Sequence, residues 1–275
     1  MEKYSLLETT YFTKDKLNTF KKVGSSATAS DYAVVCGCIL SANNKSLYLT
    51  KTHTNAGGVC CNQGFDTGME YNCKSKIFGI RPCIYNYEVN DKEILYDTDD
   101  FCIIKKGYFP QKAYDKKESK ILEKKYKNKE LILTNLNYNN TQKNNQICFD
   151  GSDFFIRVVA NPNCDYAVLS NNIKIKKDSV VYIKIEPLLW YYDKKSKILF
   201  TKDVIASGIP LDNNLFYKGD FDLTYLSIYL NEIFSKEINL KLYSKEYISF
   251  LKNELIKNKE VKIKKNKVLG LYLSV

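Results

Sequence analysis

The sequence predicts an α+β fold, with mostly antiparallel strands and few helices. Short runs rich in β-branched and aromatic residues recur between turn-forming segments, whereas only a few segments carry helical periodicity. Apolar residues make up 44% of the 275 residues, which is enough to build a buried core. No repeat of fixed period is visible, so solenoids and propellers are excluded.

Short strands joined by loops are predicted in the first hundred residues. Apolar, β-prone runs at 32–40, 46–52 and 77–89 predict strands, and the polar segment 13–23 predicts a short helix capped by Thr13. Between the second and third runs lies a glycine-rich, turn-forming stretch whose backbone is expected to visit positive φ. This half of the chain is therefore expected to carry a loop-rich surface.

Composition shifts near YDTDD, so we predict a loop-rich module over 1–98 and a basic α+β domain over 99–275. In the second part, helices are expected where apolar residues recur every three or four positions behind a capping residue. The predicted elements are strands at 101–114 (ending in a proline turn), 154–161, 179–193, 195–206 and 268–275, and helices at 115–129 (apolar face Ile121, Leu122, Tyr126), 221–238 (cap Asp222) and 244–259 (cap Ser244).

The net charge of +11 is concentrated in two lysine runs, at 105–129 and 252–267. Such runs could neutralise phosphates and bind nucleic acid, or they could reflect the codon bias of an AT-rich genome. All but two of the 42 basic residues are Lys, and base recognition usually needs the planar fork of Arg as well. The function of the charge stays open at this point.

Catalytic and metal sites have little support in the sequence. The nine cysteines form no C-x-x-C pair, and His53 is the only histidine, so no metal or cofactor is predicted. His53 could activate Cys60 or Cys61 with Asp66 as its orienting carboxylate, but a loop histidine is more often solvated. Phosphate-binding and dinucleotide fingerprints are absent. We therefore predict that the protein is not an enzyme.

Two sets of motifs resemble C-type-lectin-like modules of bacterial and prophage proteins. SSATASDYAVVCGCIL, the glycine-rich loop and GIRPCI resemble the closing part of such modules, which share the broad fold of formylglycine-generating enzymes and phage receptor-binding proteins. GYFPQ at 107–111 and EPLLW at 186–190 resemble the opening part. The two parts occur here in reverse order, which implies a permuted or tandem arrangement unless one match is accidental.

The resemblance implies a C-type-lectin-like architecture and gives a structural role to GIRPCI. Gly79 would let the backbone turn into the last core strand, Arg81 would hold loop carbonyls or a carboxylate, and Pro82 would set the strand direction at an edge or bulge. The cysteine context of formylglycine-generating enzymes and the calcium-binding triplets of true C-type lectins are missing. Neither that activity nor a calcium site is implied.

The function expected from these features is that of a non-enzymatic phage or prophage-type binding or structural protein that recognises a cell-surface glycan or a protein. Turn-rich loops and an aromatic strand end would form its surface. The candidate binding residues are Asn55, Asn62, Gln63, Phe65, Asp66, Trp190, Tyr191 and Tyr192. The alternative is a cytosolic phage counter-defence or host-takeover factor that binds protein or nucleic acid through the lysine runs.

The location of the protein is predicted from its hydrophobic pattern. No window of the sequence is apolar enough to cross a bilayer, and the N-terminal segment lacks the apolar centre of a signal peptide. We expect the protein to be cytoplasmic at synthesis, with a place in a virion and an oligomeric state both left open.

Overall fold

A computed structural model describes residues 2–12, 17–23, 25–40, 45–53, 59–62, 69–71, 73–137, 146–212 and 220–272. Within these ranges the strands, in chain order, are β1 (Tyr4–Leu6), β2 (Ala27–Thr28), β3 (Lys45–Ser46), β4 (Tyr48–His53), β5 (Val59–Asn62), β6 (Met69–Tyr71), β7 (Pro82–Ile84), β8 (Ile94–Asp97), β9 (Phe101–Ala113), β10 (Ile132–Asn137), β11 (Gln146–Phe149), β12 (Phe154–Val159), β13 (Ala167–Val168), β14 (Lys174–Ile175), β15 (Val180–Asp193) and β16 (Ile198–Thr201). The helices are α1 (Asn18–Val23), α2 (Asp31–Val35), α3 (Lys116–Lys127), α4 (Tyr225–Ile228), α5 (Ser235–Glu237) and α6 (Lys245–Tyr272), with a π-helical segment at Tyr229–Phe234 and 3₁₀ turns at Thr9–Phe12, Asp91–Glu93 and Phe221–Leu223.

The main sheet contains nine strands, all paired antiparallel, around a long central ribbon of β9 and β15. One edge of β15 pairs with β9 along most of its length. The other edge is shared, because residues 180–184 pair with β12 and residues 190–193 pair with β16. The sheet therefore forks, with β11 and β10 following β12, and β7 and β1 following β16. The α+β class with mostly antiparallel strands is confirmed; the lectin-like architecture stays a prediction.

Strands from both sides of the predicted boundary belong to this sheet. β1 and β7 come from the first 98 residues, yet Ile84 and Cys83 of β7 pair with Leu199 and Phe200 of β16. The division into 1–98 and 99–275 stays a prediction about folding units. Its two parts are joined by strand pairing in the described residues.

Alternating side chains on the central strands build two apolar layers. Phe154 and Ile156 of β12 and Ile183 of β15 face the large core, which also contains apolar residues of α2, the helical segment 225–238 and α6. Phe155 and Tyr182 point to the opposite face and join a small cluster under α3. This period-two pattern follows from strand geometry and places α3 alone, among the described helices, over that face.

The predicted strand at 32–40 is wrong, since residues 31–35 form α2. The Ser30 side chain caps the helix by accepting a hydrogen bond from the Ala33 N–H at 3.1 Å. The Asp31 carboxylate accepts the backbone N–H groups of Ala113 at 2.8 Å and Ser170 at 2.7 Å. These tertiary and capping bonds outweigh the β propensity of the following Tyr-Ala-Val-Val.

Two further expectations about strands are corrected. Residues 268–272 continue α6 rather than forming a terminal strand, and 273–275 lie outside the described residues. Pro110 does not end a strand in a turn but lies inside β9, opposite Ile185. Among the described strands, β8 pairs with β9 only at residues 102–104, so the missing N–H of Pro110 leaves that pairing intact.

The predicted helices are present, with changes at their ends. Ser244 caps α6 by accepting the Tyr247 N–H at 3.2 Å, as predicted. In 221–238 the cap is Thr224 rather than Asp222, because the first residues form a separate 3₁₀ turn capped by Asp220. Near the start of the chain α1 begins only at Asn18, and the predicted cap Thr13 lies outside the described residues.

Candidate functional site

Arg81 is a buried structural residue, only 1% exposed. Its Nε donates to the Thr201 carbonyl at 2.9 Å and its Nη2 to the Lys202 carbonyl at 3.2 Å. Its Nη1 donates to the Ser25 carbonyl at 3.0 Å and to the Tyr48 hydroxyl at 3.1 Å. The guanidinium thus ties the end of β16 to the segment before β2, and most of its donor groups are used inside the protein.

Aromatic rings enclose the same guanidinium. Its central carbon lies 5.0 Å from the centre of the Phe200 ring, 5.2 Å from that of Tyr48 and 5.6 Å from that of Phe20. A planar cation stacks well against such rings, and a Lys ammonium would lose both the fork and the stacking. These contacts leave no open face for a ligand at Arg81.

The structure gives Gly79 and Pro82 roles that differ from the predicted ones. The Gly79 N–H donates to the Leu47 carbonyl at 2.8 Å, and a Cβ on Gly79 would collide with Val204 and come within 2.8 Å of the Ser46 hydroxyl. Glycine is therefore needed for close approach and not for a turn. Pro82 lies between β1 and β16 rather than at an edge or bulge, and it is tolerated as the first residue of β7.

Trp190 does not belong to a binding surface, so its predicted role is wrong. It is fully buried, and its indole N–H donates to the Lys106 carbonyl at 2.8 Å. Tyr191 and Tyr192 are half-buried on β15: the Tyr191 ring packs edge-on against Phe101, with ring centres 5.7 Å apart, and burial raises the pKa of both phenols. Because residues alternate along a strand, the Trp-Tyr-Tyr run cannot present three rings to one partner.

The predicted loop site is largely outside the described residues. Asn55, Gln63, Phe65 and Asp66 all lie there, and only the backbone of Asn62 is described, within β5. The side chains of His53, Cys60 and Cys61 also lie outside the described ones, although their backbones belong to β4 and β5. The loop surface therefore stays a prediction, and the described residues do not test the histidine–cysteine alternative.

Most of the described cysteines are buried thiols. Six are buried and one, Cys164, is exposed, and none of the seven forms a disulfide. Burial raises the pKa of Cys38, Cys83 and Cys148 to about 12, so these thiols are protonated and unreactive at neutral pH. Among the described residues no group of three or more His, Cys, Asp or Glu side chains could hold a metal ion.

The structure exposes a row of lysines on α3. Asp115 and Glu118 form a capping box at its first turn. The predicted apolar face is wrong in two of its three residues, since Leu122 is buried but Ile121 is 49% and Tyr126 37% exposed. Residues three and four apart lie on one side of a helix. The row, called here the lysine stripe, consists of Lys116, Lys117, Lys120 and Lys124, which are all exposed.

The lysine stripe has no internal counter-charge in the part of the chain that the structure describes. Its four ammonium groups form no ion pair there, whereas the neighbouring Lys125 pairs with Asp150 at 3.3 Å and Lys127 pairs with Glu123 at 3.4 Å. Of the carboxylates near α3, Asp150 and Glu123 are thus engaged by lysines outside the stripe, and Asp115 and Glu118 form the capping box. The stripe remains free to meet an anionic partner.

A cavity of about 270 Å³ opens beside this stripe, between α3 and the start of β15. Its apolar residues come from the hairpin of β13 and β14 and from β15. One of its two tyrosines lies just before α3 and the other belongs to β15, and its polar residues belong to α3. They are Leu169, Ile173, Ile175, Val180 and Val181; Tyr114 and Tyr182; and Lys116, Ser119, Lys120 and Glu123. This space is called the α3 cavity below.

Glu123 supplies the carboxylate of the α3 cavity. Its carboxylate accepts a hydrogen bond from the Tyr182 hydroxyl at 2.7 Å and lies 3.4 Å from Arg157 Nε. Burial acts to raise the pKa of Glu123, but the Tyr182 hydrogen bond and the Arg157 charge outweigh it, and the pKa lies below its ordinary value. Glu123 is therefore an anion at neutral pH that can accept hydrogen bonds but donates none.

Tyr114 lines the same cavity, but its hydroxyl has almost no accessible surface. The residue is 6% exposed, and its hydroxyl is buried without a hydrogen-bond partner among the described residues. Burial is also the main cause that raises the pKa of this phenol. An unsatisfied buried hydroxyl costs about 1–3 kcal/mol of stability.

Sequence reasoning found the lysines of this site but missed its cavity. The run 105–129 contains the whole stripe, yet the apolar residues lie about fifty positions later and are unremarkable in the sequence. Only the pairing of β9 with β15 brings the two segments together. The continuous apolar run of Val180, Val181 and Tyr182 was the one available signal of a strand with two covered faces.

No family model, curated protein or solved structure matches the chain. The resemblance to C-type-lectin-like modules stays a prediction. None of the helices described is both long enough and apolar enough to cross a bilayer.

Proposed function

We propose that the protein is a non-enzymatic binding protein that holds nucleic acid by its phosphate backbone, with the lysine stripe of α3 as the contact surface. One observation carries this proposal: four exposed ammonium groups line one helix and form no ion pair among the described residues. The net charge of +11 adds a long-range attraction for polyanions.

The stripe has a cost that a partner would offset. Like charges four residues apart, such as Lys116, Lys120 and Lys124, destabilise a helix by about 0.2–0.5 kcal/mol per pair. The capping box and the burial of Leu122 hold the helix in spite of this repulsion. Phosphates placed along the stripe would turn the repulsion into attraction and release counterions.

The spacing of the stripe suits a phosphate chain. Lysines four residues apart are about 6 Å apart along the helix axis. A nucleic-acid strand in B-form geometry presents one phosphate about every 3.4 Å, and the four-carbon stem of Lys is flexible enough to bridge the difference. Successive ammonium groups can therefore reach different phosphates of one strand.

Nucleic acid fits this surface better than an acidic protein does. Lys is depleted from protein–protein interfaces, whereas phosphate contacts need only a point charge. The one Arg beside α3, Arg157, is engaged by Glu123 and lies 4.6 Å from the centre of the Tyr126 ring. The proposal is thus contact with the backbone, with little reading of sequence.

The second lysine run supports the proposal less. In 252–258 the described side chains include Lys252, which is exposed, and Lys257, which pairs with Glu254 at 2.9 Å. The side chains of 259–267 lie outside the described ones. The recognition of a cell-surface glycan or protein by the loops stays a prediction, because its loop residues lie outside the described ranges and Trp190 is buried.

The test is a salt titration of binding to a fluorescent 20-nucleotide single strand, followed by anisotropy between 50 and 300 mM NaCl. The triple variant Lys116→Gln, Lys120→Gln, Lys124→Gln should lose at least about tenfold in affinity at 50 mM. The slope of log affinity against log salt should fall by about 2, because each lost contact to a single strand removes about 0.7.

The matched control removes the same charge elsewhere, by Lys92→Gln, Lys195→Gln and Lys241→Gln, three exposed lysines outside α3. It should keep nearly the full affinity. Equal losses in both triple variants would show diffuse attraction rather than a site, and absence of binding at 50 mM would refute the proposal outright.

A further inference from the structure

We infer that the α3 cavity takes one unstacked base of a single-stranded nucleic acid, while the lysine stripe holds the phosphates beside it. This inference rests on the proposed function and goes further, since it names the form of nucleic acid and a base-binding pocket. A duplex keeps its bases stacked inside and cannot supply one to a cavity without paying for its extrusion.

The lining of the cavity has the character of a base-binding pocket. Leu169, Ile173 and Val180 give it apolar surface. Tyr114 and Tyr182 also line it, but they are 6% and 1% exposed, so the contact offered to a base is mainly aliphatic. Unstacked bases are held in proteins by such apolar and aromatic side chains, and any base presents a flat π face to them. The volume of about 270 Å³ is far above that of a single water site and lies just below the usual range of small-ligand pockets.

Polar groups of the cavity match the edge of a base. The Glu123 carboxylate lines the cavity; its Oε2 already accepts a hydrogen bond from Tyr182, and its remaining lone pairs can accept others. Cytosine offers Glu123 the two N–H donors of its exocyclic amino group, whereas thymine offers only its N3–H, which lies between two carbonyl oxygens that a carboxylate repels. We therefore expect cytosine to be preferred over thymine.

The charge beside the cavity identifies the occupant as part of a polyanion. Lys116 and Lys120 belong to the stripe and also line the cavity, so a base inside it would have its own phosphates next to two ammonium groups. Lys117 and Lys124 continue the row along α3 and would meet the next phosphates. An isolated apolar ligand would leave these charges unused.

The test compares three probes of equal length with the wild-type protein at 50 mM NaCl: oligo-deoxycytidylate, oligo-thymidylate and an abasic deoxyribose-phosphate strand. The cytidylate strand should bind about tenfold more tightly than the abasic one, with the thymidylate strand between them. A duplex of cytidylate with its complement carries more phosphates but keeps its bases stacked, so its affinity should not change when the cavity is filled.

Variants then locate the effect. Ser119→Phe places a ring in the cavity and should reduce cytidylate affinity to the abasic level, without changing abasic binding. Ile121→Phe adds the same ring at an exposed position of α3 outside the cavity and should change neither.

The outcomes separate the two proposals. Equal affinity of the wild type for cytidylate and abasic strands would overturn the cavity inference and leave backbone binding standing. A loss of cytidylate affinity in both variants would also overturn it, because the effect would not be specific to the cavity. Failure to bind any strand, or equally tight binding of a poly-glutamate peptide of the same length, would overturn the proposed function itself.

Discussion

Cations occupy two contrasting places in this molecule. Arg81 is buried among aromatic rings, and its donors are used by three backbone carbonyls and a hydroxyl. The lysine stripe of α3 is exposed, and its ammonium groups form no ion pair in the described residues. The charge of Arg81 is thus satisfied by groups inside the protein, whereas the four charges of the stripe are exposed to solvent.

The difference follows from what each side chain can do. A guanidinium can satisfy several carbonyls in one plane and is less strongly hydrated than an ammonium, so it can be buried where the protein supplies acceptors. An ammonium on a flexible stem stays hydrated and meets partners as a point charge. Arg81 is thus expected to govern stability, and the stripe is expected to govern binding.

The largest effect should come from Arg81→Met, which keeps apolar bulk but removes every donor. The Ser25, Thr201 and Lys202 carbonyls would lose their hydrogen bonds inside the protein, and the free energy of unfolding should fall by at least about 3 kcal/mol. Urea unfolding of the wild type and the variant measures this loss in the free energy of unfolding. The control is Arg157→Met, at the only other arginine, with an expected loss of about 1 kcal/mol. If both variants lost a similar, small amount of the free energy of unfolding, Arg81 would not govern stability as expected.

An intermediate, pH-dependent effect is expected for Glu123→Gln. The pKa of Glu123 is lowered in the folded protein, so its contribution to stability is present above the unfolded pKa of about 4.3 and is lost as the pH falls towards the folded value. The variant should be less stable than the wild type by about 1 kcal/mol at pH 7, and by progressively less below about pH 4. Urea unfolding at pH 7 and pH 3.5 tests this; a constant difference would contradict it.

The smallest effect on stability is expected for the stripe itself. The triple variant Lys116→Gln, Lys120→Gln, Lys124→Gln removes like-charge repulsion and buries nothing new, so stability should stay within about 0.5 kcal/mol of the wild type or rise slightly. Thermal unfolding at low and at 300 mM salt measures this. A loss above 1 kcal/mol would mean that these lysines hold the fold and are not free for a partner.

Much of the fold was accessible from sequence pattern because strands and caps leave local signals. The strand over 179–193 was predicted from alternation, and α6 from its apolar face and the cap Ser244. The helices at 115–129 and 221–238 were predicted from apolar periodicity, although Ile121 is exposed and Thr224 rather than Asp222 caps α4. Errors arose where distant residues decide the outcome. Asp31 holds α2 by bonds to Ala113 and Ser170, which no local window contains.

The candidate site was harder to predict than the fold. Lysine runs are visible in any sequence, but exposure and the absence of a carboxylate partner belong to the folded chain. Trp190 illustrates the reverse case, because a rare aromatic residue beside two tyrosines suggests a binding surface, and yet its strand register turns it into the core. Three separate segments of the chain line the α3 cavity, and only the folded structure brings them together.

The place of β16 in the forked sheet has a consequence for how the chain is made. β7 has β1 on one side, but its other neighbour is β16, more than a hundred residues further along the chain. Until the ribosome has delivered that segment, the nascent protein carries an open strand edge and an arginine whose acceptors at 201 and 202 do not yet exist. Such long-range closure slows folding, so cells would need to shield this edge during translation, and chains released before residue 198 should aggregate.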